Sequence, residues 1–510
     1  MSARNNRNGC WTGCSRIVAG LVVPLMLSAC AVGPDFVRPE APAVNRYTSD
    51  ELPGATVEAE GKAQRFRQGE KIAADWWRLF NSSEIDAAVK QGLANNPNLQ
   101  SAQASLRISQ NNLQAGYGVF YPSIDLGFSA TRQKLSPFRF GLNTPGSIFN
   151  LFTLGATVTY ALDVFGGNRR TLEGLGAQSD YQRYSMLGTY MTLTGNIVNT
   201  MIARAAYEAQ MQATEQLIGA QQGQLSITRI QVSSGTVPYA NVLSINNQIA
   251  VNQAALPALQ QKRDQAEHLL ATLMGRLPAE EKAPPVDLSR LSLPHDLPAS
   301  LPSDLVRQRP DILAAEAQLH AASANVGVAT AALFPSFSLS GDYNLSSTHI
   351  GSVSDPNGRF WSVGPSVNYS LFRGGATWYG RQAALEGYQK SLADYRQTVL
   401  SAFQQVADTL KALQHDAEIL QAQSEALSAA QEALAMREAN YQAGLVSYLD
   451  VLVANSQFYQ AKTNYLQALA QRYQDTTSLF VALGGGWWND KQLVQAQASE
   501  TLVKKEEQAQ

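Results

Sequence analysis

Apolar and polar residues alternate strictly in four segments of the chain. In SIDLGFSAT, the first of these segments, every second residue from Ile124 to Ala130 is apolar or small, and polar residues such as Asp125 and Ser129 lie between them. A period of two places each set of side chains on one face of a β-strand. The pattern therefore predicts four strands with one apolar and one polar face, at about 123–131, 153–164, 336–343 and 361–372.

Very long helices are predicted for most of the remaining chain. Neither glycine nor proline occurs from Tyr388 to Ala443, and neither occurs from Leu445 to Leu483. At about 1.5 Å per residue, a helix over 376–443 would be roughly 100 Å long, which exceeds the helices of ordinary globular domains. The predicted long helices cover about 168–234, 238–274, 376–443 and 447–483.

Apolar residues recur every seven positions along the helix predicted at 376–443. They are Leu392, Val399, Val406, Leu413, Leu420, Leu427 and Leu434. A sustained seven-residue repeat is typical of helices that pack as in a left-handed coiled coil. The first half of the chain keeps part of this seam, but Arg183 and Arg204 occupy two of its positions. Identical packing is therefore not expected in the two halves.

The chain repeats its own pattern once. Pro97 recurs as Pro310, and Gly235 recurs as Gly444, each in a matching sequence context. Self-similarity of this kind predicts two structural repeats, at 83–275 and 298–486, each with two strands and two long helices. The stretch 276–297 contains several prolines and is interpreted as a linker, and 487–510 is interpreted as a C-terminal tail.

The N-terminus has the layout of an export signal. Three arginines precede a short apolar run from Ile17 to Leu27, which is typical of a secretory signal peptide and too short to cross a bilayer. The run ends in LSAC, which resembles a bacterial lipobox, in which Cys30 becomes the acylated first residue of the mature chain. We therefore predict a signal peptide at 1–29 and a lipidated N-terminal segment at 30–82. A conventional signal peptide that leaves Cys30 as a free thiol is the alternative.

Charge and composition argue against several classes of function. The 39 basic and 41 acidic residues give a net charge of -2, so the chain lacks the basic character of a nucleic-acid-binding protein. The five histidines are scattered through separate elements without ligand spacing, and no phosphate loop or nucleophile motif occurs. We expect no nucleic-acid partner, no catalytic residue, no metal and no cofactor, and the chain is not expected to be an enzyme.

The four predicted strands have the length and the two faces of membrane strands. About 9 to 12 residues suffice to cross a bilayer at a tilt, and faces rich in Ser, Thr and Asn suit a water-filled lumen. Four strands cannot close a barrel, and an open edge in lipid leaves backbone groups unpaired, so several chains would share one barrel. Tyr160, Trp361 and Tyr369 lie on the predicted apolar faces and are candidates for an aromatic belt. A soluble sandwich with a buried apolar face is the alternative.

Several motifs together resemble the TolC and OprM family of outer-membrane efflux proteins, and in particular its NodT-like lipoprotein branch. They are CAVGPDFVRPE, DWWRLF, NNPNLQSAQASL, ALDVFGGNRR, YQAGLVSYLDVL and ALGGGWW. The resemblance implies a mainly α fold with membrane β-strands, built as a homotrimer. Four strands per chain would close one transmembrane β-barrel, and the long helices would form a periplasmic α-barrel. It also implies a periplasmic adaptor (membrane fusion) protein, an inner-membrane pump of the resistance-nodulation-division (RND) type and outer-membrane lipid as partners.

The motif YQAGLVSYLDVL predicts a turn between two long helices. Glycine ends helices in the left-handed conformation without steric cost, so the sequence predicts one hairpin tip at Gly444 and a similar one at Gly235. The resemblance implies that such tips contact the adaptor. The candidate contact residues are Gly235, Thr236, Gly444, Leu445 and Ser447.

The resemblance also implies a closed periplasmic aperture, with Asp450, Val453 and Tyr441 as its candidate residues. Three carboxylates brought together in a trimer would repel one another and attract cations. Ser447 and Asp450 also form an S-x-x-D capping pattern, so a capping role alone is the alternative for Asp450. Val453 and Val446 stand where the family pattern often has a second Asp and an Arg. Locking by charge is therefore expected to be weaker, with Val453 giving an apolar constriction instead.

The predicted function is the outer-membrane exit duct of a tripartite efflux pump. The duct would conduct small molecules passively after the adaptor opens the tips, and substrate selection is expected to reside mainly in the pump. The predicted location is the Gram-negative outer membrane, with an anchor at Cys30 and a long periplasmic extension. A periplasmic scaffold lipoprotein and an autonomous diffusion porin are the two alternatives, and the long helices would be superfluous in the porin.

Overall fold

The structure is a computed structural model that describes residues 31–490 except 52, 71, 142, 281–282 and 300–301. Cys30 and the predicted signal peptide lie outside the described residues, and so does the tail beyond 490. Within the described part of the chain, no helix is both long enough and apolar enough to cross a membrane.

The described residues form six strands in two sheets. The strands are β1 (Arg65–Gln68), β2 (Ser123–Leu135), β3 (Ser147–Leu162), β4 (Asp296–Ala299), β5 (Ser336–Ser347) and β6 (Arg359–Asn368). The short strands β1 and β4 pair in parallel. The other four strands form an antiparallel sheet in the order β2-β3-β5-β6, and these four correspond to the predicted alternating segments.

The observed strands differ from the predicted ones at their ends. β3 stops two residues early because the carboxylate of Asp163 accepts hydrogen bonds from the backbone N–H groups of Asn168 (2.9 Å) and Arg169 (3.0 Å) and caps the next helix. β6 stops four residues early because its last residue, Asn368, pairs with Ser336, where β5 begins. β2, β3 and β5 extend further than predicted at their loop ends, since ladder hydrogen bonds continue where the apolar alternation has stopped.

One face of the four-stranded sheet is apolar across all four strands. The register places Leu126 opposite Ala156, Ala156 opposite Tyr343, and Tyr343 opposite Trp361. The side chains of this face are open, with Leu126 81% and Trp361 69% exposed. A soluble protein rarely exposes so large an apolar surface. The predicted alternation is confirmed, and the exposed face speaks against a soluble sandwich with a buried apolar side.

Eight α-helices account for most of the described chain. They are α1 (Ser83–Asn95), α2 (Pro97–Tyr117), α3 (Gly167–Ser233), α4 (Ala240–Leu273), α5 (Pro302–Gln308), α6 (Pro310–Ala331), α7 (Ala376–Gln442) and α8 (Tyr448–Ala482). The helices α3 and α7 have 67 residues each, which corresponds to about 100 Å of helix. The ends of the four long helices lie within two residues of the predicted positions.

The chain divides into two compact units. The first contains residues 31–38, 106–181 and 315–395, and the second contains 39–105, 182–314 and 396–490. The first unit therefore holds the four-stranded sheet, and the second holds the larger part of the long helices. Each unit contains segments from both sequence repeats. A sequence repeat therefore does not correspond to a separately packed domain.

A large apolar core fills the second unit. Trp76 stacks on Phe480 with ring centroids 5.2 Å apart, and Trp76 and Trp77 are 2% and 4% exposed. Stretch 276–297 also belongs to this core, because Leu288 and Leu297 are buried in it and β4 pairs with β1. The stretch interpreted as a linker is thus also packed into the core. Its prolines prevent regular helix, but its leucines still pack.

The seven-residue seam is buried in the middle part of α7. Val399, Val406, Leu413 and Leu420 are all buried. In the first half, the guanidinium of Arg204 donates hydrogen bonds to the carbonyl oxygens of Ala283 (2.8 Å) and Pro284 (3.2 Å). Arg204 thus occupies a seam position because it binds the connecting stretch instead of a neighbouring helix.

Residues 55–68 form a strap that holds a buried arginine. The guanidinium of Arg472 on α8 donates to Oε1 of Gln64 (3.2 Å), Oγ1 of Thr56 (3.4 Å) and the carbonyl oxygen of Lys62 (3.2 Å). Arg472 is only 1% exposed, and a buried cation without such partners would be strongly destabilising. The segment predicted only as a lipidated N-terminus is therefore also part of the packed structure.

Candidate functional site: the helix hairpin tips

Both predicted hairpin tips end their first helix in the same hydrogen-bonded turn. Gly235 has a φ of 75° and Gly444 a φ of 72°, which is the left-handed conformation that glycine adopts without strain. The N–H of each glycine donates to the carbonyl oxygen three residues earlier, and the next residue donates to the carbonyl five residues earlier, at 2.9 to 3.0 Å. This pair of bonds is the Schellman motif. The turn therefore satisfies carbonyl groups that the helix end leaves unpaired.

The first tip has an additional side-chain bond in its turn. Oγ1 of Thr236 donates to the carbonyl oxygen of Gln231 at 2.8 Å, beside the backbone bond from the same residue. Leu445 takes the equivalent place in the second tip and has no hydroxyl. Its side chain is 74% exposed.

A side-chain hydrogen bond joins the two tips within one chain. The hydroxyl of Tyr441, in the last turn of α7, donates to Oε1 of Gln231, in the last turn of α3, at 3.1 Å. The ring of Tyr441 also meets the ring of Tyr448 edge-to-face, with centroids 5.5 Å apart. Tyr441 therefore connects three helices, and it does so at the end of the chain's two longest ones.

An apolar cluster beside this bond packs the two hairpins together. We call it the tip cluster; its buried members are Ile218, Leu225, Val242, Ile245, Ile249, Tyr448, Val451 and Leu452. They come from α3, α4 and α8, and Leu434 and Tyr441 of α7 pack against them. Burial of apolar surface at this scale is the main force that holds helices together. The Tyr441 bond thus closes a packed contact rather than bridging open space.

Asp450 caps the returning helix of the second tip. Its Oδ2 accepts hydrogen bonds from the backbone N–H of Ser447 (3.0 Å) and from the Ser447 hydroxyl (2.6 Å). These bonds, and the positive charge of Arg437, hold the pKa of Asp450 below its usual range. The capping role that the S-x-x-D pattern predicts is confirmed. Asp450 is nevertheless fully exposed and stays ionised, so capping does not remove its charge from the surface.

Exposed apolar side chains surround this carboxylate. Leu445, Leu449 and Val453 are 74%, 58% and 50% exposed, and all lie within five residues of Asp450. The first tip offers Asn241 in place of Asp450. Within one chain, only the second tip therefore carries a carboxylate in this position.

The remaining predicted residues lie elsewhere. Trp361 is on the apolar face of β6 opposite Tyr343, and Tyr160 is opposite Leu339 on the same face. Tyr369 follows β6 by one residue and is 52% exposed, so its predicted place inside the strand was wrong. A membrane belt formed by these aromatic residues stays a prediction, as does acylation at Cys30.

The described residues offer no constellation for metal chemistry. In this part of the chain, no group of three or more His, Cys, Asp or Glu side chains is placed to hold a metal ion. His320 hydrogen-bonds Glu173 and stacks on Phe36, and His415 hydrogen-bonds Glu418 on the same helix. Both histidines thus make local packing or surface contacts.

Gln231 is the functional candidate that the sequence does not reveal. It is equivalent in the repeat to Asn440, whose carbonyl oxygen also accepts the turn bond of its tip. The repeat therefore marks Gln231 as a turn residue. Its side-chain contact with Tyr441 depends on how the two hairpins pack, and nothing in the local sequence encodes that.

Comparison with known proteins agrees with these features. The sequence profile of the family described as outer membrane efflux protein matches residues 88–276 and 301–485. Pyoverdine export outer membrane protein OpmQ of Pseudomonas aeruginosa is 29% identical over 425 residues, which cover 82% of this chain and 88% of that protein. Nodulation protein T of Rhizobium leguminosarum bv. viciae is 27% identical over 479 residues, which cover 92% and 93%.

The fold also matches a solved channel structure. The outer-membrane channel OprN superposes with a TM-score of 0.80 at 27% identity, over 90% of this chain and 100% of that one. The match covers the whole of the OprN chain.

Proposed function

This chain belongs to the outer membrane efflux protein family, and we propose that it conducts small molecules passively through a duct that its hairpin tips close. It is an outer-membrane channel, the exit duct of a tripartite efflux pump. It acts as a trimer together with an adaptor and an inner-membrane pump. The observation that carries the closing mechanism is the bond between Tyr441 and Gln231 beside the tip cluster.

The open sheet supports the sharing of one barrel among three chains. β2 and β6 are the two edges of the four-stranded sheet, and unpaired edges cannot face lipid. Closure with the sheets of two further chains would pair both edges and give a barrel of about twelve strands, above the minimum of about eight. The exposed apolar face would then contact lipid.

Asp450 and Val453 are proposed to line the periplasmic aperture. Three copies of an ionised, exposed carboxylate near the trimer axis would favour cations and repel one another. Val453 lies one helical turn further along α8 and is half exposed, which suits an apolar ring next to the charged one. Tyr441 would hold each second hairpin against the first one in the closed state.

The tips are proposed to receive the adaptor. Gly235, Thr236, Gly444, Leu445 and Ser447 form the two turns, and a Cβ added at either glycine would meet no atom within 4 Å. The backbone there is thus open to a partner, and exposed Leu445 adds an apolar contact. An adaptor that binds these turns would compete with the packing of the tip cluster and so favour opening.

An RND-type transporter is proposed as the inner-membrane partner, on the strength of the family resemblance. The names of the two relatives refer to pyoverdine export and to nodulation. The two names point to different biological roles for relatives of this chain, which supports substrate selection by the pump rather than by this chain.

Acylation at Cys30 is proposed as the membrane anchor. The first described residues are held tightly: the N–H of Val32 donates to the carbonyl of Phe165 at 3.1 Å, and Asp35 pairs with the buried Arg170 at 2.7 Å. Arg38 pairs with Glu316 at 2.7 Å. The chain is therefore fixed from Ala31 onward against the part of the first unit where β3 meets α3, close to the strands that would span the membrane.

Planar-bilayer recording of the purified full chain tests the closing mechanism. We expect small, cation-selective conductance steps for the wild-type trimer, because the tips are packed and carry Asp450. Large steps without any partner would show that the tips do not close the duct and would favour the diffusion porin. Absence of steps even after substitution of the tip residues would contradict a duct altogether.

A further inference from the structure

A cleft opens in the first unit where three strands pass into helices or emerge from them. It has a volume of about 650 Å³ and is lined by parts of 161–171, 328–337 and 368–377. This volume lies within the usual range of ligand-binding cavities. None of the residues proposed for the aperture or the adaptor contact lies in it. We call it the junction cleft.

The lining of the junction cleft is rich in large apolar side chains. Phe165 stacks on Phe334 with ring centroids 4.5 Å apart. The ring centroid of Phe337 lies 6.3 Å from that of Phe165. Leu371 and Phe372 are each 88% exposed. Two adjacent apolar side chains this open are unusual on a surface that meets only water. Among the described residues, none covers them.

The charged groups of the cleft largely neutralise one another. Asp163 accepts hydrogen bonds from the backbone and from the guanidinium of Arg169, whose Nε lies 3.2 Å away. The carboxylate is thereby engaged in capping α3. Arg373 remains as a cation of the lining. The apolar part of the cleft therefore suits a neutral, extended apolar occupant, and Arg373 would add preference for an anionic headgroup only at its border.

The N-terminal segment begins beside this cleft. A Cβ added at Gly166 would lie 2.5 Å from the Cα of Ala31, so the two backbones touch there and only glycine fits. Val32 binds the carbonyl oxygen of Phe165, and Phe165 lines the cleft. Ala31, which follows Cys30 in the sequence, therefore lies beside Gly166 and close to this phenylalanine.

We propose that the junction cleft seats the acyl chains carried by Cys30. This inference rests on the proposed acylation and adds a binding site within the protein for the lipid. The occupant is neutral and apolar, and it is attached one residue before the fixed segment. Phe334, Leu371 and Phe372 expose apolar surface in the same cleft that Phe165 lines. Burial of alkyl chains against these side chains is favourable because it removes apolar surface from water. The anchor would thus be part of the packed protein at the membrane boundary.

Photo-crosslinking of the full-length protein tests the proposal. Cells that express the chain are fed a palmitate analogue with a photoreactive group and an alkyne, and the purified trimer is irradiated, digested and analysed by mass spectrometry. We expect cross-linked peptide pairs that join the N-terminal peptide to peptides containing Phe334 or Leu371 and Phe372. Trimers mixed from isotopically light and heavy chains show whether both peptides come from one chain, as the proposal requires.

Four variants test whether the cross-link depends on the cleft and on Cys30. Ala332→Trp fills the cleft. Phe372→Ser removes an apolar contact at an exposed position, with little effect on folding. Both variants should lower the cross-link yield by roughly fivefold, because the favourable burial of the acyl chains scales with the apolar surface available. Leu126→Trp, on the open face of β2, should leave the yield unchanged. Cys30→Ala should remove the label from the N-terminal peptide.

The outcomes separate this proposal from the proposed anchor. If no label reaches the N-terminal peptide of the wild type, acylation at Cys30 fails, and the seat in the cleft fails with it. If the label is present but cross-links only to the outward faces of β2, β3, β5 or β6, or to another chain, the anchor holds and the seat is wrong. A lipid adduct on the cleft peptides without the N-terminal peptide would identify a free phospholipid as the occupant and would also overturn the proposal.

Discussion

The hydroxyl of Tyr441 donates a hydrogen bond to Oε1 of Gln231 at 3.1 Å, although the two residues are 210 positions apart. A bond of this kind contributes about 1 kcal/mol net, which corresponds to roughly a fivefold change in an equilibrium between closed and open tips. Tyr441→Phe keeps the ring contact with Tyr448 and removes only this bond. We therefore expect a severalfold rise in open probability in planar bilayers.

Tyr379→Phe is the control for that variant. Tyr379 lies in the first turn of α7, far along the same helix, and is 71% exposed. Its substitution should leave the open probability at the wild-type level. Equal behaviour of Tyr441→Phe and Tyr379→Phe would mean that the bond does not hold the tips.

Two substitutions at Asp450 separate charge from capping. Asp450→Asn removes the charge but keeps an oxygen that can accept from the N–H of Ser447, whereas Asp450→Ala removes both. If the carboxylates line the aperture, both variants should lose cation selectivity in bilayers by a similar factor. Only Asp450→Ala should also speed hydrogen exchange in the first turns of α8, since loss of a cap costs about 1 kcal/mol. Unchanged selectivity in both variants would leave Asp450 with the capping role alone.

Gly444 should not tolerate a β-carbon in spite of its open surroundings. Its φ of 72° costs an alanine about 1 to 2 kcal/mol, so Gly444→Ala should raise the rate of hydrogen exchange in the last turn of α7. Gly444→Asn should be milder, because asparagine adopts this conformation more readily. Gly223→Ala is the matched control: it also meets no atom within 4 Å, but it lies inside α3, so it should be neutral or slightly stabilising. Equal effects of the two alanine variants would contradict the turn geometry.

Asp416 of α7 gives the helices a pH dependence. Burial, together with a hydrogen bond to Asp475 and its negative charge, raises the pKa of Asp416 to about 8, against the opposing positive charge of Arg472. The folded state therefore holds a proton that the unfolded chain releases near pH 4. The stability that this proton provides is complete below about pH 4 and is lost as the pH rises towards 8, at a rate of at most ~1.4 kcal/mol per pH unit.

Hydrogen exchange of α7 and α8 between pH 5 and 9, corrected for intrinsic rates, measures this dependence. Opening around Asp416 should become easier as the pH rises to about 8 and then level off. Asp416→Asn should flatten the profile, whereas Asp408→Asn, at an exposed position on the same helix, should not. A wild-type profile that is already flat would mean that Asp416 is ionised in the fold.

Local patterns predicted the elements that depend on local rules. The strands follow from alternation, α8 and most of α7 from the absence of glycine and proline, and the tips from Gly235 and Gly444. The strand ends could not be predicted, since Asp163 and the pairing partner of Asn368 decide them. The strap and the buried leucines of 276–297 have no periodic pattern either. The strap and the packing of these leucines depend on contacts between residues far apart in the chain, which no local sequence pattern reveals.

For the candidate site, too, the sequence predicted local contacts but not contacts between the two hairpins. The S-x-x-D pattern identified the cap formed by Ser447 and Asp450 because both partners lie in one helical turn. Gln231 was missed because its side-chain partner lies on another hairpin. The family resemblance supplied the trimer, whose arrangement no single-chain pattern could specify.

A cleavable tether between the two tips tests the central claim most directly. In the double variant Gln231→Cys/Tyr441→Cys, a short bismaleimide with an internal disulfide would join the tips, and a reductant would release them. The variant lacks the native bond, so the untethered trimer should open more often than the wild type in planar bilayers. The account predicts that tethering lowers this conductance to the closed level and that reduction restores it. The same conductance before and after complete tethering would contradict closure by the hairpin tips.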